Sequence, residues 1–295
     1  MRSSRRFRWA AIPIAAALAF VLAGCTQQQL QGYLPVGEGG AATNHVDRVV
    51  GLWVTSWIVL LVVGIITWGL MIWAMIVYRR RKGQIGLPVQ LRYNMPLEIF
   101  FTVVPLILVL GFFAFTARDQ AIIEARYDSP DVTIQAFGKQ WAWDFNYVDE
   151  NVYTSGIQVQ PSTDPNAPAG SIDPASIPTL YLPVGKTVEI QLEARDVIHS
   201  FWVIDFLYKK DMIPGKTNYM SFIPEREGTF TGKCAELCGE YHSQMLFQVE
   251  VVSDAAYQAY TQKLAADGFD GQLGSEYNRN QNLPGVTVPL SESAK

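Results

Sequence analysis

Two long apolar runs occupy the first half of the chain. The first, Val49–Tyr78, contains no charged residue and exceeds the roughly 20 residues that a membrane-spanning helix needs. The second extends from about Ile99 to Thr116, where two charged residues end it. Runs of this length are poorly suited to the buried hairpin of a globular core. The pattern therefore predicts a two-helix transmembrane hairpin over residues 49–117.

Charge is distributed unevenly around these runs. Four cations, Arg79 to Lys82, follow the first run at once, and such clusters mark the cytoplasmic side of a span. We therefore expect the loop from 79 to about 95 inside the cell and both chain ends outside. Residues 1–117 carry 10 Lys+Arg and 3 Asp+Glu, a net +7, whereas the remainder carries 13 and 24, a net −11. An acidic exposed domain should repel nucleic acid and attract basic partners.

The first 25 residues have the pattern of an export signal. Four arginines precede a short apolar core, Trp9–Val21, as in secretory signal peptides. The core ends in Leu-Ala-Gly-Cys, which resembles the bacterial lipoprotein cleavage box. In that family the cysteine, here Cys25, becomes the lipidated first residue. We expect a lipoprotein-type signal peptide over 1–24 and a polar extracytoplasmic tether over 25–48; the alternative is an uncleaved anchor helix.

Beyond residue 131, short segments of strand length replace the long runs. DVTIQAF, TVEIQLEA, SFWVIDF and LFQVEVV alternate or run apolar, with Pro and Gly between them. This pattern of short strand-length segments predicts a β-sandwich or barrel over 118–255. Residues 154–178, rich in Pro, Ser, Asp and Gly, are predicted to be an inserted loop. A closing helix over Asp254–Asp267 and a loosely ordered polar tail should complete a C-terminal segment, 256–295.

The scarce soft-ligand residues are crowded into one segment. Cys234, Cys238, His242 and Met245 lie within thirteen positions, although the chain has only three cysteines and three histidines. His199, near a predicted strand turn, can supply a remote ligand. Three alternatives remain open from the residues alone: a small disulfide loop, a closed zinc site, or a mononuclear blue copper site. Two thiolates could instead bridge two copper ions, each of which takes one histidine.

Four motifs in order make the sequence similar to subunit II of haem–copper cytochrome c oxidases over about residues 45–255. H-x(34)-C-x-E-x-C-x(3)-H-x(2)-M resembles the dinuclear copper A site of that family. GKQWAWDFNY, KKDMIPG and EIFFTVVP resemble its aromatic stretch, a loop leading back to the metal and the start of its second span, with Phe101 replacing a tryptophan. The resemblance implies a membrane-anchored all-β protein with an extracytoplasmic cupredoxin-like Greek-key β-barrel. The copper ligands that it implies are His199, Cys234, Glu236, Cys238, His242 and Met245.

The resemblance also assigns roles to three further groups. Trp141 would be the residue at which electrons enter, and Glu98 the mouth of a proton channel into subunit I. Glu236 would offer its carbonyl to copper and its carboxylate to a Mg²⁺ or Mn²⁺ shared with subunit I. The alternatives are purely structural: Trp141 would be an ordinary core or surface aromatic residue, and Glu98 an acid at the end of a membrane-spanning helix.

The implied function is electron transfer in a respiratory terminal oxidase of the bacterial plasma membrane. A c-type cytochrome would donate electrons, and haem in subunit I would receive them for oxygen reduction coupled to proton pumping; subunit III would complete the complex. The sequence lacks a C-x-x-C-H haem motif, so the donor would be a separate protein, which loop 154–178 could dock within a supercomplex. Three competing functions are a quinol oxidase subunit, nitrous-oxide reductase, and a membrane lipoprotein for copper delivery or storage.

Overall fold

The computed structural model describes residues 26–37, 39–87, 90 and 92–278, which form two compact units. The predicted signal peptide with Cys25 and the last seventeen residues lie outside the described part of the chain. The first unit holds helix α1 (Gln27–Leu30) and most of helices α2 (Val46–Val77) and α3 (Met95–Ile123). The second holds ten strands and helix α4 (Asp254–Ala266).

Helices α2 and α3 coincide with the two predicted spans. Helix α2 begins slightly before the first apolar run, and α3 extends beyond the second run at both ends. Both are long and apolar enough to cross a membrane, and their apolar side chains are largely exposed in the isolated chain. At one end of the pair, Arg48 of α2 and Arg118 of α3 each contact the same oxygen of Asp119, at 3.1 and 2.9 Å. This shared carboxylate joins the two helices where charged side chains reach the ends of the apolar runs.

The second unit is a sandwich of two five-stranded sheets. The first sheet has the order β3-β2-β1-β5-β8, and the second has the order β4-β10-β9-β6-β7. The strands are β1 (Val132–Lys139), β2 (Ala142–Tyr147), β3 (Val152–Ser155), β4 (Thr179–Pro183), β5 (Val188–Ala194), β6 (His199–Val203), β7 (Tyr208–Met212), β8 (Asn218–Phe222), β9 (Gly228–Cys234) and β10 (Leu246–Val252). The β1–β5 and β4–β10 pairs are parallel, and the others are antiparallel. Each parallel pair requires a crossover between distant strands.

The core between the sheets is rich in aromatic rings. Trp143, Phe201 and Phe247 are fully or almost fully buried, and their ring centroids lie 4.7–5.7 Å apart. Gly232 is required beside Phe247, because a Cβ there would lie 2.3 Å from the ring. This packing holds β2, β6, β9 and β10 together at the level from which the ligand-bearing loops leave the sheets.

Part of the predicted tether is built into the sandwich. Residues 35–47 belong to the second unit, and the Asn44 amide donates to Ile223 oxygen at 3.1 Å. The imidazole of His45 is buried and its Nε2 lies 2.8 Å from Ser221 oxygen. The segment therefore continues the edge of the first sheet just beyond β8, which polar composition alone did not indicate.

The segment after α4 is also tied to the sandwich. Asn146 on β2 exchanges two hydrogen bonds with the main chain of Leu273, at 3.0 and 3.1 Å. The buried guanidinium of Arg195 donates to Gly274 oxygen at 2.8 Å and pairs with the buried carboxylate of Asp144 at 2.8 Å. Residues beyond the predicted closing helix are thus held by specific partners.

Candidate metal centre

The loop between β9 and β10 carries most of the soft ligands. Cys234 ends β9, His242 opens a short 3₁₀ helix (His242–Gln244), and Met245 immediately precedes β10. The Cys234 amide donates to Met245 oxygen at 3.0 Å, so the two ends of the loop are held side by side. His199 begins β6, the neighbour of β9, where Phe201 is paired with Cys234. The topology therefore brings the distant histidine to the loop.

The predicted ligand atoms converge. Cys234 Sγ lies 3.9 Å from Cys238 Sγ and 3.9 Å from His199 Nδ1. Cys238 Sγ lies 3.5 Å from His242 Nδ1 and 3.7 Å from Met245 Sδ. Within the described residues, His199, Cys234 and Cys238 form the one group of metal-ligating side chains, with ligand atoms within 4.8 Å of one another. All three are buried.

These separations suit shared metal ions. Ligand atoms at 2.0–2.3 Å from one tetrahedral ion are about 3.3–3.8 Å apart. The carbonyl oxygen of Glu236 also faces the site, 3.2 Å from Cys234 Sγ, while its side chain is exposed. The set offers two thiols, two imidazoles, one thioether and one carbonyl. Sulfur and imidazole ligands suit copper, so the residues fit the soft metal that the resemblance implies.

Electrostatics distinguishes the two thiols. Burial and the neighbouring Cys234 raise the pKa of Cys238 to about 12. Burial also works to raise the pKa of Cys234, but its contacts with His199 and with main-chain groups leave that pKa below the ordinary value. Cys234 is therefore the thiol that ionises first before a metal binds. A bound cation would favour both thiolates, because metal ligation requires the deprotonated sulfur.

Asp196 was not singled out from the sequence, yet it contacts His199, a candidate ligand. Its Oδ1 lies 2.7 Å from His199 Nε2, the ring nitrogen that faces away from the thiols. Burial works to lower the pKa of His199, but its contacts with Asp196 and Cys234 together outweigh burial and raise it. For Asp196, burial opposes ionisation, but the His199 and backbone hydrogen bonds outweigh burial and lower its pKa. An acid three positions before a ligand histidine was the available signal.

Trp141 lies beside the ligand loop. The half-buried indole Nε1 donates to Cys238 oxygen at 3.3 Å, and the ring contacts Tyr241 edge-on with centroids 4.9 Å apart. Gln140 Nε2 donates to the same oxygen at 2.7 Å. Gly239, at φ +122°, lies under the indole, where a Cβ would come within 3.1 Å. Trp141 is therefore not a ligand, but it contacts the main chain of one.

Glu98, the predicted proton-channel residue, lies far from the other candidate site residues along the chain, in the first turn of α3. Its Oε1 accepts a hydrogen bond from the Asn94 amide at 2.9 Å, and the Asn94 side chain accepts one from the Leu97 amide at 3.4 Å. This reciprocal pattern caps the helix N-terminus. The contact shows that Glu98 stabilises the N-terminus of α3, which is the structural alternative to a proton-channel role.

Comparison with known proteins identifies the family. The family model described as "Cytochrome C oxidase subunit II, periplasmic domain" matches residues 132–252. A probable cytochrome c oxidase subunit 2 of Streptomyces avermitilis is 42% identical, with 95% of this chain and 97% of that protein covered. The chain belongs to the cytochrome c oxidase subunit 2 family. The cytochrome c oxidase subunit 2 of Mycobacterium tuberculosis is 32% identical, covering 92% of this chain and 85% of that protein.

Among solved structures, the chain is similar to the periplasmic domain of cytochrome oxidase subunit II from Bradyrhizobium japonicum. The two are 30% identical, with 48% of this chain and 99% of that one covered, at a TM-score of 0.41.

Family membership confirms the main predictions. The chain is a subunit of the haem–copper oxidase complex, an oxidoreductase, and acts there with subunit I. It is a membrane protein with two apolar helices and an extracytoplasmic cupredoxin-like domain. The family implies a copper A centre, which the His/Cys/Cys group can hold. The copper-delivery alternative is not favoured.

Proposed function

We propose that this subunit accepts single electrons from a c-type cytochrome at a dinuclear copper A centre and passes them to haem in subunit I. The convergence of two thiols with two imidazole Nδ1 atoms carries this proposal, since a mononuclear blue copper site would need only one thiolate. Bound copper would supply a one-electron centre whose charge is shared between two ions. The proposed ligands are His199, Cys234, Glu236 (through its carbonyl), Cys238, His242 and Met245.

The protein residues prepare this site before any metal arrives. The Cys234 amide bond to Met245 oxygen fixes the two ends of the loop, and the buried Trp143 indole nitrogen lies 3.4 Å from the same oxygen. Burial of the thiols excludes water from the sulfur atoms. A loop held in this way needs little reorganisation when the charge of the centre changes, which favours rapid electron transfer.

Copper stoichiometry and spectroscopy test the ligand set. The purified full-length chain should hold two copper ions and give a multi-line paramagnetic resonance spectrum from a delocalised electron. Met245→Leu should alter that spectrum, whereas Met220→Leu, in a buried methionine on β8, should leave it unchanged. One copper per chain, or the spectrum of a single localised ion, would contradict the proposal.

Electrons are proposed to reach the site through Trp141. The contact between its indole N–H and Cys238 oxygen gives a short connection from a half-buried ring to a proposed ligand. The net −11 charge of residues 118–295 suits a donor with a basic face. Loop 154–178 approaches the ligand loop, because Gln158 Nε2 lies 2.9 Å from Gln244 Oε1. We propose that this loop contributes to docking the donor. If the donor is a membrane-bound cytochrome, this contact would hold it and the oxidase together in a supercomplex.

Further proposals concern the assembled oxidase. The exposed Glu236 carboxylate is proposed to bind Mg²⁺ or Mn²⁺ with subunit I, as hard oxygen ligands suit those ions. Glu98 is proposed to form the entrance of a proton path into subunit I. Subunit III is proposed as a further partner of this chain in the complex. Glu236→Gln should lower Mg²⁺ or Mn²⁺ content while keeping copper, and Glu98→Gln should slow proton uptake while leaving the copper spectrum intact.

Cys25 is proposed to carry the lipid anchor of the mature subunit. The motif Leu-Ala-Gly-Cys supports this modification. Mass spectrometry should find an acylated residue 25 at the N-terminus, and Cys25→Ala should leave a heavier unprocessed precursor. Unmodified residues 1–24 on the mature wild-type chain would contradict the proposal.

A further inference from the structure

We propose that Asp196 is a positioning residue that orients the His199 imidazole and the backbone before Trp141 with a single carboxylate. The inference deepens the proposed function and rests on it, because it assumes that His199 binds copper. Asp196 lies in the loop between β5 and β6, three residues before His199. Its side chain is only 8% exposed, so its oxygens act mainly on groups of this chain.

The carboxylate uses both oxygens. Oδ1 accepts from the Val197 amide at 2.8 Å and lies 2.7 Å from His199 Nε2. Oδ2 accepts from the Gln140 amide at 2.8 Å. An ionised carboxylate is acceptor-only, so His199 Nε2 must carry the proton in this contact. The other ring nitrogen, Nδ1, is the one that faces Cys234 Sγ.

This arrangement selects the ring state that a metal needs. Once His199 is neutral, a proton held at Nε2 leaves the Nδ1 lone pair directed toward the thiols. Gly138 leaves room for the ring in this orientation, because a Cβ at that position would lie 2.8 Å from its Cδ2. Asp196 thus fixes the tautomer, while the missing side chain of Gly138 makes space for the ring.

The second carboxylate oxygen of Asp196, Oδ2, binds the backbone next to Trp141, the proposed residue of electron entry. The Gln140 amide that it holds directly precedes Trp141, and the side chains of Gln140 and Trp141 both donate to Cys238 oxygen, at 2.7 and 3.3 Å. One carboxylate therefore contacts two parts of the site: the imidazole that faces Cys234, and the backbone of the segment that carries the indole. Loss of either hydrogen bond should disturb the position of one element relative to the other.

Substitution by asparagine changes the hydrogen bonding of the site as well as its charge. An amide has one acceptor oxygen, so the side chain of the Asp196→Asn variant could not accept from both His199 Nε2 and the Gln140 amide. If its NH₂ group faced His199, it would favour the tautomer with the proton on Nδ1, which offers no lone pair toward the thiols. Asp196→Asn should therefore change the site itself, unlike removal of an exposed acid.

The test uses the assembled oxidase with Asp196→Asn and the control Asp128→Asn, an exposed acid of the same domain. Asp196→Asn should weaken copper retention against a chelator by about 10–100-fold, the usual effect of losing such a partner. The remaining copper A signal should show altered hyperfine splitting, and the reduction potential should shift. The control should match wild type in all three measurements.

The results distinguish this inference from its basis. If the wild-type chain gave no two-copper signal, that result would contradict the proposed function itself. A normal wild-type signal with an unchanged spectrum, potential and copper retention in Asp196→Asn would overturn only the positioning role. A raised KM for the donor with a wild-type spectrum would also overturn it, and would make Asp196 a docking charge.

A second variant covers failure of Asp196→Asn to assemble. Asp196→Glu keeps the charge and both acceptors, but moves them by about 1.5 Å, one carbon–carbon bond. It should assemble and hold copper, because the charge and both acceptors remain, while still shifting the hyperfine pattern or the reduction potential. A wild-type spectrum and potential in Asp196→Glu would contradict a role that depends on the position of the carboxylate.

Discussion

The indole nitrogen of Trp141 lies 3.3 Å from the main-chain oxygen of Cys238 and donates a hydrogen bond to it. The residue proposed to receive electrons therefore contacts a proposed copper ligand through that ligand's backbone and not through its sulfur. An electron moving from ring to thiolate needs to cross only this hydrogen bond and a few covalent bonds. The contact separates two properties, electron input and metal binding, that mutation can test independently.

Replacing Trp141 by Gln should slow electron input strongly while leaving the copper spectrum and donor binding near wild type. The glutamine removes the aromatic ring but none of the proposed ligands. Stopped-flow reduction of the assembled oxidase by its cytochrome would measure the effect. Phe269→Gln, in a partly exposed ring elsewhere on the domain, is the matched control. Near-normal reduction rates in Trp141→Gln would mean that electrons enter elsewhere.

Gly138→Ala should impair copper binding without touching a ligand. The added Cβ would lie 2.8–3.0 Å from three atoms of the His199 side chain, which is fully buried and held by Asp196. Overpacking of this kind costs about 1–3 kcal/mol and should displace the ring. Copper titration and thermal melting of the full chain would detect both effects. Gly51→Ala, whose Cβ would have no neighbour within 4 Å, should change neither.

The copper-free protein should show a pH dependence set by Asp196 and His199. The lowered pKa of Asp196 means that its contribution is present above about 3.8 and is lost as pH falls through the folded value. The raised pKa of His199 means that its contribution is full below its ordinary 6.5 and is lost as pH rises through the folded value. The pair should therefore stabilise the copper-free fold most between these two limits.

Thermal melting of the copper-free chain across pH would measure this dependence. Asp196→Asn should flatten the fall on the alkaline side, because the His199 pKa would return toward its ordinary value. Copper should also remove that fall, since binding requires the neutral imidazole and gains as the proton leaves. An alkaline decline of equal size in the variant would assign the effect to other groups.

The sequence alone was enough to predict the spans and the main strands, and to single out residues that converge at the candidate metal centre, for reasons visible in particular residues. Val49–Tyr78 is too long and too apolar for another use, and its helix, Val46–Val77, differs by only a few positions. LFQVEVV coincides with β10 because alternation along seven residues directly reflects a half-buried strand. The soft ligands were recognisable because they are scarce elsewhere in the chain.

The remainder depends on contacts between distant segments, which leave little trace in local composition. Asn44 extends the first sheet only because Ile223 offers a matching backbone edge. The role of Asp196 depends on the Gln140 amide, 56 residues away along the chain. Likewise, Arg195 orders the chain around Gly274 through hydrogen bonds to main-chain oxygens, which any residue could supply.

Arg195→Met should destabilise the domain by about 3–5 kcal/mol, because it leaves a buried carboxylate without its main partner. Arg195 is 1% exposed, and its Nε donates to Asp144 at 2.8 Å. Lys139 also contacts Asp144, at 2.6 Å, so part of the charge would remain compensated. The same substitution removes the donor to Gly274 oxygen and should free the segment after α4.

Denaturant unfolding of the full chain, with hydrogen exchange over residues 268–278, would measure both consequences. Lys263→Met, which breaks the exposed pair with Asp267, should cost no more than about 1 kcal/mol. Adding Asp144→Asn to Arg195→Met should recover part of the lost stability, since the unpaired charge is then gone. If Arg195→Met were as mild as Lys263→Met, the buried pair would not stabilise the fold, and the terminal segment would be ordered by its other contacts, such as those of Asn146.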